Sequence, residues 1–350
     1  MTTGLHRRRR THRVRRRSKE HAQPAYAALD LGTNNCRLLV AIPKQDGGFR
    51  VVDAFSRIVR LGEGLSGEGR LAPAAMSRTI DALRVCASKI RRGGVAGARS
   101  VATEACRQAE NCEEFLSRVT EETGLVIETI SSAEEARLVL QGCLPLFEER
   151  PSYGLVFDIG GGSTEVVWVC FDESRAEIVD WISMPLGVVT LSERYGLGNI
   201  SASDYDCLMS EVESYLGPFC SRHGIRAAVA NGAVQMLGTS GTVTTLCGVN
   251  LGLKRYDRSV VDGTYLGFES IAHLCHMLRR MNSADRAAQP CIGSERADLV
   301  VSGCAVLEAI CKRWPVGRLK VADRGIREGI LCELIEGGSK AVTAGADASR

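Results

Sequence analysis

The sequence of 350 residues has no hydrophobic run of the roughly 20 residues that a membrane-spanning helix needs, and no apolar secretory core at its N-terminus. We therefore predict a cytoplasmic protein with no membrane partner. Its 14 cysteines include no Cys-x-x-Cys pair, which argues against a zinc site of paired thiolates, and we expect the thiols to be reduced. A G-x-x-x-x-G-K-[ST] loop is also missing, which argues against a P-loop enzyme.

Most of the chain has no excess of positive charge, which is concentrated at the N-terminus. The net charge is +3, but residues 1–24 hold nine lysines and arginines against a single glutamate, and the remainder has five more acidic than basic residues. Such a run predicts a basic, disordered and solvated arm. The alternative is an arm that binds polyanions, including nucleic acid, through phosphate contacts and counterion release.

Two similar stretches, one in each half of the chain, consist of alternating apolar residues interrupted by a glycine turn. Residues 25–42 and 154–171 each predict a strand, a tight turn and a second strand. At an offset of 128 residues Asp30 aligns with Asp158, and each is followed two positions later by a glycine. The repeat predicts a duplicated α/β architecture of about two domains.

Each glycine turn is suited to holding a phosphate. Glycines lack Cβ atoms, so backbone N–H groups can approach phosphate oxygens, and an aspartate at a strand end can hold a cation directly or through water. The alternative is that the turns only close hairpins. A third loop, at 237–246, places Gly241 and Thr242 at the start of an apolar segment, where a helix N-terminus would attract an anion or a hydroxyl would cap the helix.

Eight motifs follow one another between about residue 25 and residue 335. They are ALDLGTNNCRLLV (28–40), RLGEGL (60–65), ATEACRQAEN (102–111), SSAEEARL (131–138), VFDIGGGSTEVV (156–167), GTSGT (238–242), RADLVVSG (296–303) and ADRGIREGIL (322–331). In this order they resemble the exopolyphosphatase/guanosine pentaphosphate phosphatase family of the actin-like, Hsp70-like and sugar-kinase-like ATPase superfamily. The combination is far more specific than any single loop.

The resemblance implies an α/β fold of two duplicated actin-like (ribonuclease H-like) domains with an interdomain cleft. The first domain would span 25–148 and be completed by a returning helix at about 320–336, and the second would span 149–319. Residues 337–350 would form a flexible tail. Long family members carry an extra C-terminal helical region that this sequence lacks, so the preferred polyphosphate chain length stays open.

The resemblance also implies the site residues. Glu135 would be the general base that activates water, and Arg107 would be a cation that meets phosphate oxygens. Attack of water on a phosphoryl group requires both a base and positive charge at the phosphate. Asp158 and Glu165 would hold magnesium. Only the motif register separates Glu135 from its neighbour Glu134. The residues implied to bind phosphate are Asp30, Gly32, Thr33, Asn34, Asn35, Gly160, Gly161, Gly162, Ser163, Thr164, Gly241 and Thr242.

The activity implied is a magnesium-dependent exopolyphosphatase, with guanosine pentaphosphate hydrolysis as the close alternative. The expected partners are inorganic polyphosphate and guanosine penta- or tetraphosphate, and a homodimer is an open alternative to a monomer. Two further classes are a kinase of the same superfamily and a non-catalytic sensor of guanosine alarmones. The sequence departs from the family pattern at Ser132, commonly glycine, and at Thr33-Asn34-Asn35, commonly Ser-Asn-Ser.

Overall fold

The computed structural model describes residues 23–45, 47–148, 151–172, 175–196 and 200–347, with side chains up to residue 337. The basic arm predicted for residues 1–24 therefore lies outside the described residues, apart from its last two positions. The described chain forms two sheets with helices packed around them. Each sheet belongs to one half of the sequence, so the predicted two-domain α/β architecture is confirmed.

The first sheet has the strand order β3-β2-β1-β4-β5, in which β1, β2 and β3 are antiparallel neighbours and β4 and β5 continue parallel to β1. This half consists of β1 (Tyr26–Leu31), β2 (Asn35–Pro43), β3 (Phe49–Ile58), α1 (Leu65–Glu68), α2 (Pro73–Gly93), β4 (Gly97–Ala102), α3 (Glu104–Gln108), α4 (Cys112–Thr123), β5 (Glu128–Thr129) and α5 (Ser132–Cys143). A single 3-10 turn, Leu144–Leu146, follows α5.

The second sheet has the order β10-β11-β9-β6-β7-β8, with β6 parallel to β9 and antiparallel to β7. This half consists of β6 (Tyr153–Ile159), β7 (Thr164–Phe171), β8 (Ala176–Met184), α6 (Val188–Tyr195), α7 (Ala202–Arg222), α8 (Ile225–Ala230), β9 (Val234–Thr239), α9 (Ser240–Asn250), α10 (Arg258–Val261), β10 (Tyr265–Gly267), α11 (Phe268–Arg280), α12 (Ser283–Ala287), α13 (Val300–Arg313), β11 (Arg318–Ala322) and α14 (Ile326–Asp347).

The two predicted hairpins have the same geometry. In the first, Asp30 lies opposite Arg37 on the neighbouring strand, and in the second, Asp158 lies opposite Glu165, the residue at the same offset. The turns are closed alike, by a 2.9 Å bond from Gly32 N to the Asn35 carbonyl in one and a 2.9 Å bond from Gly160 N to the Ser163 carbonyl in the other. The repeat seen in the sequence is thus a structural repeat.

Helices α5 and α14 lie between the two sheets and join them. One buried cluster combines residues of β1 and β2, both helices, and β6 and β7. Glycines allow the helices to approach closely, because a Cβ at Gly142 would lie 2.2 Å from the Gly325 carbonyl oxygen and one at Gly329 would lie 2.2 Å from the Leu138 carbonyl oxygen. The last helix therefore packs back on the first domain.

The boundaries of this returning helix differ from the predicted 320–336. Residues 318–322 form β11, which pairs with β9 in the second sheet, so the helix begins only at Ile326. Its backbone continues through 337–347, which had been assigned to the tail. Three alanines in this stretch favour helix, whereas its three glycines disfavour it.

A second connection crosses the cleft opposite the paired helices. The Arg60 guanidinium of the first half lies 3.0 Å from the Asp298 carboxylate of the second, and Glu193 accepts a 2.9 Å bond from the backbone N–H of Gly64. Arg60 has a positive φ of 48°, and its backbone N–H donates to the Asn34 carbonyl in the first glycine turn. The first turn is therefore tied to the segment that bridges the domains.

Candidate active site

The carboxyl ends of β1 and β6 meet at the cleft and bring most of the predicted site residues into one cavity. This cavity is lined by Asp30, Gly32, Thr33, Asn34, Asn35, Arg37, Thr103, Glu104, Glu135, Asp158, Gly160, Gly161, Gly162, Ser163, Ser240 and Ile326. Gly241 and Thr242 line an adjoining compartment, which shares the same two asparagines with the cavity. The glycine turns of both halves thus face one space.

The second glycine turn needs glycine because the first turn packs directly against it. A Cβ at Gly161 would lie 3.1 Å from the Asn34 backbone nitrogen, and a Cβ at Gly162 would lie 2.6 Å from the Thr33 hydroxyl. Gly187, in the segment before α6, meets the same turn, with a Cβ position 2.3 Å from the Gly161 carbonyl. These glycines therefore bring the two loops together, in addition to any role in exposing N–H groups.

The third predicted loop forms the junction between β9 and α9. No side chain caps the N-terminus of α9, so its first N–H groups at Gly241 and Thr242 are available for an anion. Ser240 precedes them with a φ of 79°, a left-handed conformation that costs a non-glycine residue energy. Its hydroxyl donates to the Ile159 carbonyl at 2.7 Å, which ties the junction to the end of β6.

Glu135 lies in the first turn of α5, a helix capped by the Ser131 hydroxyl. Its Oε2 accepts a 2.7 Å bond from Arg107 Nη1, and the side chain is 8% exposed. Arg107 also donates through Nε and Nη2 to Glu104, at 2.8 and 2.6 Å. Both glutamates line the cavity, whereas Arg107, which the resemblance implies to meet phosphate oxygens, does not line it and is bound to the two glutamates.

Burial raises the pKa of four carboxyl groups at the site. It raises the pKa of Asp158 to about 6 and that of Glu165 to about 7, where the charge of Asp158 adds to the effect. Burial also raises the pKa of Asp30, and it raises that of Glu135 well above its usual range although Arg107 pulls in the opposite direction. The charge of Glu165 in turn adds to the rise at Glu135, so the buried carboxylates repel one another, and a cation would relieve this repulsion.

The donor chemistry suits a hard divalent cation. Asn34 and Asn35 each bury a side-chain oxygen that has no hydrogen-bond partner, and carboxylate and amide oxygens are the ligands that magnesium prefers. Within the described ranges, no three His, Cys, Asp or Glu side chains converge closely enough to cage a metal alone. Magnesium usually keeps several waters and binds one or two carboxylates together with substrate phosphates, so an incomplete cage is compatible with it.

Two of the predicted residues lie behind the cavity wall. Glu165 is 1% exposed, and its Oε1 accepts hydrogen bonds from the Ser163 hydroxyl at 2.6 Å and the Ser183 hydroxyl at 2.8 Å. Thr164 is fully buried, and its hydroxyl donates to the Leu186 carbonyl. Thr164 therefore stabilises the loop through its side chain, while Glu165 is held in one orientation close to the cavity.

Sequence reasoning missed several cationic residues. A larger chamber of about 450 Å³ shares Asp30 and Asp158 with the cavity, and its arginines are Arg37, Arg258, Arg296, Arg324 and Arg327. The sequence repeat could have pointed to Arg37, because Arg37 occupies the position in the first half that Glu165 occupies in the second. For Arg296 and Arg327 the signal was their place in recognised motifs, RADLVVSG and ADRGIREGIL. The chamber provides positive charge next to the carboxylates, which suits a substrate with many phosphates.

Two actin-like domains with a glycine turn from each half facing one cavity are typical of enzymes that transfer or hydrolyse phosphoryl groups. The chain belongs to the Ppx/GppA phosphatase family, whose model matches residues 40–337. This confirms the resemblance found in the sequence. It also identifies the protein as a hydrolase of phosphoanhydride bonds.

The relatives of this chain include proteins named for each of two activities, exopolyphosphatase and guanosine-5'-triphosphate,3'-diphosphate pyrophosphatase. Exopolyphosphatase 2 of Mycobacterium tuberculosis is 29% identical over 328 residues, which cover 88% of this chain and 98% of the relative. Guanosine-5'-triphosphate,3'-diphosphate pyrophosphatase of Aeromonas salmonicida is 30% identical over 316 residues, which cover 90% of this chain but 60% of the relative. The solved structure of the Aquifex aeolicus family member matches with a TM-score of 0.72 at 27% identity, covering 90% and 98% of the two chains.

None of the helices in the described part of the chain combines the length and the apolar character needed to cross a bilayer.

Proposed function

We propose that this protein is an exopolyphosphatase, which removes the terminal phosphoryl group of inorganic polyphosphate by attack of water. The observation that carries the proposal is the placement of Glu135 in the same cavity as the paired glycine turns of both halves. A relative that matches this chain over 98% of its own length is named as an exopolyphosphatase, which supports the same activity. Polyphosphate is then the principal partner.

In this mechanism Glu135 accepts a proton from the attacking water. Arg107 holds one carboxylate oxygen of Glu135 at 2.7 Å, so the other oxygen is left to face the water. Burial strengthens Glu135 as a base because it raises the pKa of the carboxyl group, while Arg107 limits the rise. The water oxygen bonds to the terminal phosphorus, the phosphoanhydride P–O bond breaks, and the shortened chain leaves.

The phosphate oxygens are bound mainly by backbone N–H groups. The N–H groups of Gly32 and Gly160 close their own turns, so the following residues of the two turns, which include Asn34 and Gly161, supply the donors. The free N-terminus of α9 supplies others. These donors are held in place by the sheet and lie where negative charge accumulates during transfer, which is how a positioned site lowers the barrier.

Magnesium is the cofactor of this proposal, with Asp158 on the cavity wall and Glu165 behind it as the carboxylates that would hold it. When bound, the ion would neutralise charge on the phosphate oxygens. Ser163 and Ser183 keep Glu165 in one orientation, and Asp158 lines both the cavity and the arginine chamber. Asp158 therefore presents its carboxylate where both compartments meet, and Glu165 is held in one orientation behind the cavity wall.

Guanosine pentaphosphate is the second candidate substrate. It is favoured by the similarity to the Aeromonas salmonicida protein, whose name gives that activity, although this chain spans 60% of its length. The arginine chamber beside the cavity has room for groups beyond the terminal phosphates. A cytoplasmic location, a homodimer, and contact of the basic arm with polyanions, including nucleic acid, remain predictions from the sequence.

One assay separates the candidates. Purified protein with magnesium is given long polyphosphate, short polyphosphate, guanosine pentaphosphate and ATP in parallel, and release of orthophosphate is followed without any added acceptor. Fastest release from polyphosphate supports the proposal, and fastest release from guanosine pentaphosphate supports the second candidate. Release that requires an acceptor would show a kinase, and tight binding of an alarmone with no turnover would show a sensor.

A further inference from the structure

Glu104 contacts Arg107 along the edge of the guanidinium that would otherwise bind phosphate. A guanidinium has five N–H donors, and the Nε and Nη2 edge forms the fork that matches carboxylate or phosphate oxygens. In Arg107 both atoms of this edge donate to Glu104 Oε2, at 2.8 and 2.6 Å. The remaining nitrogen, Nη1, donates to Glu135 and to the Ile130 carbonyl.

Glu104 also separates Arg107 from the cavity. Glu104 is a lining residue and Arg107 is not. The Glu104 side chain lies against the second glycine turn, with its Cγ 3.0 Å from the position that a Cβ at Gly162 would occupy. A phosphate in the cavity therefore meets the Glu104 carboxylate before it meets the arginine.

We propose that Glu104 competes with phosphate for Arg107 and thereby keeps the affinity for the product orthophosphate low. This inference rests on the proposed function and on the role that the family resemblance implies for Arg107, a cation that meets phosphate oxygens. Gln108, on the next turn of the same short helix, donates from Nε2 to Glu104 Oε1 at 2.5 Å. The glutamine stabilises the carboxylate in its position on the arginine.

The competition affects product and substrate unequally. A polyphosphate chain has many phosphates, so contacts along the glycine turns and the arginine chamber help it to displace Glu104. Orthophosphate has only the contacts of one phosphoryl group, and it must displace a carboxylate that makes two charge-assisted hydrogen bonds. Glu104 is in this sense a residue that determines specificity for a phosphate chain over a single phosphate.

The test is the affinity for orthophosphate, measured by calorimetry in the presence of magnesium. We expect Glu104→Gln to bind orthophosphate about tenfold more tightly than the wild type, because a neutral amide competes less well than a carboxylate for the two Arg107 donors. The same variant should show stronger product inhibition during polyphosphate hydrolysis. The matched control is Glu110→Gln, which removes the same charge from an exposed side chain of the same segment, paired only at 3.6 Å with Arg70.

A purely structural role for Glu104 predicts the opposite result. If Glu104 only holds Arg107 in place, its loss would loosen the arginine, and orthophosphate would bind more weakly or with unchanged affinity, which would overturn the inference. Gln108→Ala provides a second test at an exposed position, and we expect it to tighten orthophosphate binding in the same direction by about twofold to threefold. Unchanged or weaker binding in that variant would also overturn the inference.

Failure of this inference can be distinguished from failure of the proposed function. If the wild type hydrolyses polyphosphate and Glu135→Gln does not, the function stands whatever the affinity of Glu104→Gln for orthophosphate. If the wild type releases no phosphate from any polyphosphate, the proposed function itself has failed.

Discussion

Two neighbouring glutamates at the start of α5 have opposite environments. Glu135 is buried in the cleft, whereas Glu134 is paired with Arg137 at 2.7 Å and with Arg99 at 2.8 Å on the outer side. The hydrogen bond from Arg137 lowers the pKa of Glu134 to about 2, and the hydrogen bond from Arg99 acts in the same direction. The geometry therefore supports the distinction that the motif register made between the two.

Removing the charge of Glu134 should affect stability and leave catalysis intact. We expect Glu134→Gln to lower the free energy of unfolding by about 1–2 kcal/mol at pH 7. Since the pKa in the folded state lies below the ordinary value of 4.5, this contribution is present at neutral pH and is lost as the pH falls towards 2.

Urea unfolding of both proteins from pH 7 to pH 3 measures this difference. The gap between wild type and variant should narrow as the pH falls. A gap that stays constant over this range would contradict the assigned ion pairs, and a large loss of turnover would contradict the assignment of the base to Glu135.

Residue-level features were the part of the site that sequence could predict least. The glycine turns could be predicted because strand-turn-strand geometry follows from local sequence, whereas Glu135 was implied only by the family resemblance. The structure brings both into one cavity. The hydrogen bonds from Arg107 to Glu135 and from Ser183 to Glu165 join separate elements. Such contacts depend on tertiary packing, and no local pattern contains them.

At the scale of secondary-structure elements, the crossing of α5 and α14 fixes how the two domains are joined. Gly329 is buried at the crossing, and an added Cβ would lie 2.2 Å from the Leu138 carbonyl oxygen and 3.0 Å from its Cα. Backbone atoms cannot give way as the end of a flexible side chain can. The two helices would have to move apart to admit a side chain.

Gly329→Ala should therefore destabilise the protein, by about 2 kcal/mol, through overpacking at the crossing. The matched control is Gly337→Ala in the same helix, where a Cβ meets nothing within 4 Å and the residue is exposed. This control should stabilise the protein by about 0.5–1 kcal/mol, because alanine favours helix over glycine. Thermal unfolding should show a lower melting temperature for Gly329→Ala and a higher one for Gly337→Ala. Equal destabilisation of the two variants would contradict close packing of α5 against α14 at Gly329.

The sequence predicted elements better than their limits. The two hairpins and the helix after GTSGT were predicted from the sequence pattern, and the structure has both hairpins and α9 at these places. The start of α14 was placed too early, because the short strand β11 is recognisable only through its pairing with β9. A short apolar run does not show from its own sequence that it pairs with a strand far away in the chain.

At the scale of the whole molecule, the buried carboxylates couple magnesium to pH. Burial raises the pKa of Asp158 to about 6 and that of Glu165 to about 7, so both compete for protons at neutral pH. Because a carboxylate must lose its proton to bind a cation, the magnesium concentration that gives half-maximal hydrolysis should fall as the pH rises from 6 to 8. Excess chelator should stop the reaction.

Asp158→Asn or Glu165→Gln should raise the magnesium requirement steeply, because each removes a charged oxygen ligand. Titration of magnesium in the hydrolysis assay at two pH values measures both effects. Full activity in excess chelator, or an unchanged requirement in both variants, would argue against the assigned carboxylates.

The basic arm gives a prediction for the complete chain. Residues 1–24 carry a net charge of +8, and a long polyanion could contact the arm and the cleft together. Deleting residues 1–22 should weaken the apparent affinity for long polyphosphate by roughly tenfold at low salt and flatten its salt dependence, with short substrates and maximal turnover unchanged. Steady-state kinetics at several salt concentrations test this, and identical salt slopes for both proteins would exclude the contact.

The central claim is that Glu135 activates the water that attacks the terminal phosphate. It is tested most directly by single-turnover hydrolysis of long polyphosphate with Glu135→Gln, alongside equilibrium binding and the neighbouring Glu134→Gln control. Hydrolysis by Glu135→Gln should fall by about 10²–10⁴-fold while polyphosphate binding is retained, and Glu134→Gln should remain close to wild type. Equal rates in the two variants, or a Glu135→Gln protein that hydrolyses polyphosphate at the wild-type rate, would contradict the account.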